Sequence, residues 1–193
     1  VNTQHDSIAL FGTSADPPTC GHEALLKGLL NIFPKVVTWA SDNPLKNHSI
    51  PLQKRYELLK LLVEDIQNPH LEINQKLSSP WTIKTLEKAN ELWPSSNMIF
   101  IIGSDLMEQL PSWLRVKDVL NKARIGVAKR EGWPIQENQL QTIKGLGGVI
   151  DLLPLDIPDS SSSTFRKRFK LAQIPKVILP LLMNQNLYDI KNK

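Results

Sequence analysis

IALFGTSADPPTCGHEALLKGLLNIF, residues 8–33, decides the fold. IALF is a short apolar run of strand type, and EALLKGLLNIF carries Leu25, Leu26, Leu29, Leu30 and Phe33 on one helical face. Between them stands GTSADPPTCGH (12–22), too long and too polar for a plain connector. Five further strand-like runs follow: KVVTWAS (35–41), HLEI (70–73), MIFIIG (98–103), RIGVA (124–128) and GVIDLLPL (148–155). Helical segments alternate with them. PLQKRYELLKLLVEDI (51–66) places Leu58, Leu59, Leu62 and Ile66 on one face with Pro51 in its opening turn, and TIKTLEKANEL (82–92) stops at Trp93 and Pro94. Strand and helix in alternation predict an α/β fold: a Rossmann-like, doubly wound parallel sheet with helices on both faces.

The 193 residues, 41% hydrophobic and 22% charged, suit one domain spanning 1–193. A net charge of +4 is compatible with an anionic ligand. The one cysteine, Cys20, forms no internal disulfide, which makes a reducing cytosol the default. No apolar run approaches the roughly 20 residues of a membrane span and no charged-then-apolar leader is evident, so the expectation is a soluble cytoplasmic protein without a membrane partner. No basic face interleaved with aromatics marks a nucleic-acid partner. A homo-oligomer is left open.

Open α/β sheets bind ligands beyond the C-terminal ends of their strands, where helix N-termini suit phosphate. The polar clusters fall there: GTSADPPTCGH after strand one, SDNPLK after strand two, GSD after strand four and DSSSSTFRKR after strand six. His22 in a first helical turn reaches a phosphate, with Thr19 three residues upstream and Gly21 allowing close approach. Read from the residues alone, Thr19 as a helix cap and His22 as a surface histidine serve equally well. The loop is neither a P-loop, since no Gly-Lys-Ser follows, nor a dinucleotide fingerprint, and the four histidines lack zinc-ligand spacing. Ser162 and Arg166, four apart, share one side of a helix and with its N-terminus form an oxyanion cradle, or else a cap ahead of a solvated basic face. In the same way Thr82 and Asp105 serve as helix caps, Trp113 as core and Lys46 as a solvated lysine.

GTSADPPTCGH and SSSTFR resemble the two signatures of the nucleotidylyltransferase superfamily, G-T/S-F-D/N-P-x-H/T-x-G-H and S-S/T-T-x-x-R. Within it the chain is most similar to the bacterial nicotinate-nucleotide adenylyltransferases, through NPLK, Arg55, PWTIKTL, FIIGSDLMEQLPSW and VILPLLMNQNLY, over residues 8–188. The resemblance implies transfer of AMP from MgATP to nicotinate mononucleotide, giving nicotinate adenine dinucleotide and pyrophosphate. It implies that Gly12, Thr13, Ser14, Thr19, His22, Gly103, Asp105, Ser161, Ser162 and Arg166 bind ATP. Thr19, His22, Lys46 and Arg166 would carry catalysis, and Lys46, Thr82 and Trp113 would bind the mononucleotide. Mg²⁺ would be held mainly by the ATP phosphates, with no protein metal site. Nicotinamide mononucleotide or phosphopantetheine as acceptor, and an inactive nucleotide-binding protein, are the alternatives. Ala15 stands where the family usually has Phe, Thr19 where bacterial members usually have His, and Trp81 where they usually have Tyr, so a more open first loop is expected. Matching Arg166 rather than Lys167 sets the register of the second signature, because a guanidinium binds phosphate bidentately.

Overall fold

In the computed structural model, which describes residues 6–43, 46–158 and 160–192, six parallel strands form one sheet in the order β3-β2-β1-β4-β5-β6. The strands are β1 (Ser7–Thr13), β2 (Lys35–Ala40), β3 (Leu71–Ile73), β4 (Asn97–Gly103), β5 (Arg124–Arg130) and β6 (Ile150–Ile157). Each lies where an apolar run predicts one, and the order reverses at β1/β4, a topological switch point. Pro44 and Leu45 of NPLK, and Asp159 ahead of the second signature, lie outside the described residues.

Period-two alternation divides the core. Leu10, Val37, Trp39, Phe100, Ile102 and Val127 face one side, where α3 (Thr82–Leu92), α4 (Val116–Lys122) and α5 (Glu137–Gly145) add Ile83, Leu86, Val119 and Ile143. Ala9, Phe11, Val36, Ala40, Ile99 and Ile101 face the other, under Leu25, Leu26 and Leu29 of α1 (Cys20–Leu30) and Leu59 and Leu62 of α2 (Leu52–Ile66). The helix predicted from the periodicity of 25–33 stops at Leu30, and Phe33 packs against the second cluster from the turn beyond. Pro51 stands one position ahead of α2, as its N-cap.

A third cluster lies off the sheet. Ile50 and Leu58 meet Phe165 of α6 (Ser162–Arg168), Ile178, and Leu182 of α7 (Leu179–Asn184), which docks the C-terminal segment beside the strand ends. Strand β6, at one edge of the sheet, contains Pro154, which has no N–H to donate. There the pairing jumps: Ala128 faces Leu153, but Lys129 faces Asp156. This bulge sets the position of Arg130 at the end of β5. Among the described residues no helix is long and apolar enough to cross a membrane.

Candidate active site

The loops after β1, β2, β4, β5 and β6 surround a cavity of about 660 Å3 at the C-terminal edge of the sheet. The first loop forms its floor. Thr19 is the N-cap of α1, and its backbone N–H donates to Nδ1 of His22 at 3.1 Å. Nδ1 is therefore the lone-pair nitrogen and Nε2 carries the proton, on the ring edge left for the cavity that His22 lines. Burial, with the charges of Arg130 and Lys46, pushes the imidazole pKa down to about 4. At neutral pH His22 is thus an uncharged hydrogen-bond donor.

Thr19 is both cap and support. It is fully buried, lies beneath the cavity wall, and donates its hydroxyl to the Ser160 carbonyl at 2.5 Å. This corrects the placement expected for it: Thr19 ties the first signature to the second, and His22 alone of the pair faces the cavity. Gly21 is required by the same junction, since a Cβ there would stand 2.8 Å from the Ser160 carbonyl oxygen. Room at Gly12 is likewise taken by protein, the Trp39 ring lying 2.6 Å from where a Cβ would be. Ala15 is fully buried with its N–H on Thr13 Oγ1 at 3.2 Å, so the loop closes over it. Gly12, Thr13 and Ser14 line the cavity beside it.

Two arginines hold these loops in different ways. Arg55, 1% exposed on α2, donates to the carbonyls of Ser14 at 2.8 Å and Ser41 at 2.7 Å, joining the loops after β1 and β2. Arg166 donates to the Asp16 carbonyl at 2.5 Å and pairs with the Asp16 carboxylate at 3.3 Å, while its side chain lines the cavity. Lys167, the cation of the other register, is exposed and outside the cavity lining. Ser161 caps α6, accepting from Thr164 N–H at 3.0 Å, and Ser162 donates to the Pro17 carbonyl at 2.8 Å. Both line the cavity, with hydroxyls engaged by protein.

Lys46 also lines the cavity. Its side chain is exposed by area, yet surrounding protein pushes the ammonium below its ordinary value, with Arg130 and Arg166 adding to the shift and Asp105 opposing it. Those couplings place His22, Lys46, Arg130 and Arg166 within electrostatic reach of one another. Arg130 is the member that sequence reasoning missed. It ends β5 and pairs with Asp105 at 2.6 Å, so the carboxylate expected to meet ribose already has a cationic partner. The signal was available: Arg130 lies just past RIGVA, at the C-terminal end of a parallel strand. Gly103 ends β4, with Asp105 Oδ1 inside the space a Cβ would occupy.

The opposite wall is aromatic. Trp81, 43% exposed, is the N-cap of α3, and Thr82 is its first residue rather than the cap. Trp113 stands edge-on to Phe100 with ring centroids 5.9 Å apart. All four line the cavity, which therefore joins cationic side chains to aromatic ones.

Residues 10–168 match the family model described as cytidylyltransferase-like. The chain is 34% identical to a probable nicotinate-nucleotide adenylyltransferase of Synechocystis, covering 94% of this chain and 98% of that one. It is 26% identical to the nicotinate-nucleotide adenylyltransferase of Bacillus subtilis, over 90% of each chain. In fold it is similar to Plasmodium falciparum nicotinic acid mononucleotide adenylyltransferase complexed with NaAD, at a TM-score of 0.77 and 19% identity, covering 98% of this chain and 100% of that one.

Proposed function

Because the chain belongs to the cytidylyltransferase-like family, we propose that it works as a single nucleotidylyltransferase domain in the cytoplasm, making nicotinate adenine dinucleotide from ATP and nicotinate mononucleotide. The observation that carries the reading is the convergence of His22, Lys46, Arg130 and Arg166 on a cavity whose far wall holds Thr82, Trp81 and Trp113.

The acceptor phosphate is already an anionic nucleophile at neutral pH, so the reaction needs no side-chain nucleophile. Its oxygen forms a bond to the α-phosphorus of ATP, the bond from that phosphorus to the bridging oxygen breaks, and pyrophosphate leaves with the electron pair. Bringing two anions together is the main obstacle, and fixed donors and cations lower it without reorganising during the step. In this reading Nε2–H of His22 donates to an α-phosphate oxygen as charge moves toward the leaving group. Lys46 and Arg166 offset the charge of the triphosphate. The backbones of Gly12, Thr13 and Ser14 and the N-terminal turn at Ser161 and Ser162 line the phosphate path. Gly103 and Asp105 border adenosine, and Asp105 meets the ribose hydroxyls while paired to Arg130. Mg²⁺ bound to the ATP phosphates would supply further neutralisation there. The side chains assigned to the triphosphate, His22, Lys46 and Arg166, include no carboxylate, so the metal's oxygen ligands would come from the phosphates and water. Thr82 faces the acceptor carboxylate, and Trp113, steadied by Phe100, stacks on the pyridine ring.

Pyrophosphate release from MgATP tests the proposal, with nicotinate mononucleotide, nicotinamide mononucleotide and phosphopantetheine offered in parallel. Turnover with the nicotinate acceptor, well above the other two, is expected. Preference for another acceptor overturns the substrate, and no turnover with any of them overturns the enzyme.

A further inference from the structure

The C-terminal VILPLLMNQNLY has no part in the chemistry above, yet its last residue reaches Asp16, which lines the cavity. Tyr188 packs edge-on to Phe165 with centroids 6.1 Å apart, and its hydroxyl donates to Oδ1 of Asp16 at 2.8 Å. Asp16 is 2% exposed. Its other oxygen, Oδ2, accepts the Ser49 N–H at 2.8 Å and lies 3.3 Å from Arg166. One buried carboxylate thus fixes three partners from distant parts of the chain: the segment that follows Lys46, the helix that carries Arg166, and the C-terminal segment.

We propose that Tyr188 is a positioning residue for triphosphate binding, its hydroxyl holding the Asp16 carboxylate so that Oδ2 keeps the Ser49 segment and Arg166 in place. Without the hydroxyl, Oδ1 loses its donor among the described residues, and the carboxylate turns to share its remaining partners. Arg166 then leaves the geometry in which it faces the cavity. The C-terminal segment becomes part of the phosphate site, although it contributes no group that touches substrate. Burial and the Asp16 charge push the phenol well above its ordinary pKa, which keeps it a donor at every working pH.

The inference rests on the nucleotide half of the proposed function, so its test uses binding without turnover. Affinity for a β,γ-methylene analogue of MgATP is measured by calorimetry for the wild type and Tyr188→Phe, then for both in an Arg166→Lys background. Tyr188→Phe is expected to weaken binding about 10-fold. With Arg166 already replaced, its effect should shrink to about threefold or less, because the two residues act through one carboxylate. A purely structural role would lower the thermal midpoint and leave the two effects independent. Affinity within twofold of wild type for Tyr188→Phe, or an undiminished loss in the lysine background, overturns the proposal. If the wild type binds the analogue but turns over no nicotinate mononucleotide, the acceptor reading fails and the Tyr188 result still stands. Failure of the wild type to bind the analogue overturns both.

Discussion

The two ends of the cavity are built on different principles. At the cationic end nearly every polar group has a protein partner: Thr19 on Ser160, Ser162 on Pro17, Arg166 and Tyr188 on Asp16, Arg55 on Ser14 and Ser41. At the aromatic end Trp81, Thr82 and Trp113 present surface held mainly by packing, such as the Phe100–Trp113 contact. Charge transfer between phosphates demands donors fixed in advance, because a dipole that must turn during the reaction gives back much of what it stabilises. Ring recognition asks for area and shape, which packing supplies. Substitutions at the first end should therefore affect turnover and stability together, whereas those at the second should affect affinity for one substrate.

His22→Ala gives the largest expected loss, about 10²- to 10³-fold in kcat. Because the imidazole also accepts the Thr19 N–H, the variant should lose about 1 kcal/mol of stability as well, measured by chemical denaturation. Near-normal kcat would reduce His22 to a helix-cap partner. The same residue predicts a pH effect. The unfolded chain takes up this proton near its ordinary value of 6.5, and the folded protein does so only near 4. The unfolded state therefore binds more protons between those values, and stability should fall as pH drops from 6.5 toward 4. His22→Ala should show a shallower fall when thermal midpoints are compared across that range.

Arg55→Met comes next. It removes a buried cation that joins two loops and leaves the Ser14 and Ser41 carbonyls without that donor, so a loss of about 3 kcal/mol in unfolding free energy is expected. A fully stable variant would show that the loops hold one another without it. Trp113→Ala should raise KM for the acceptor about tenfold and leave KM for ATP within about twofold. Equal effects on both substrates would erase the distinction between the two ends. The smallest effect belongs to Lys167→Ala, whose kcat/KM should stay within about twofold of wild type, since surface changes of this kind rarely exceed 0.5 kcal/mol. A large loss there would favour the other register of the second signature.

Amino-acid order determined the sheet directly. Six apolar runs with helical segments between them admit few arrangements, because parallel strands need crossovers and crossovers are right-handed. The same order brought the signatures to strand ends, so His22, Lys46, Asp105, Thr82, Trp113 and Arg166 could be named as candidates for one site. Local pattern carried that far because period and turn chemistry are short-range properties.

What side chains do once they arrive was decided in three dimensions. Thr19 reads as a phosphate contact until its hydroxyl meets Ser160, 141 residues away. Asp105 reads as an ATP contact or a helix cap until Arg130, placed by a bulge at Pro154, pairs with it. Asp16 and Tyr188 are 172 positions apart, and nothing local relates them. A hydrogen bond depends on distances of about 3 Å, whereas sequence pattern specifies which face of an element a residue occupies and no more. The fold and the location of chemistry follow from the former kind of information. The division of labour among the residues, some touching substrate and others holding those that do, comes only from packing distant segments together.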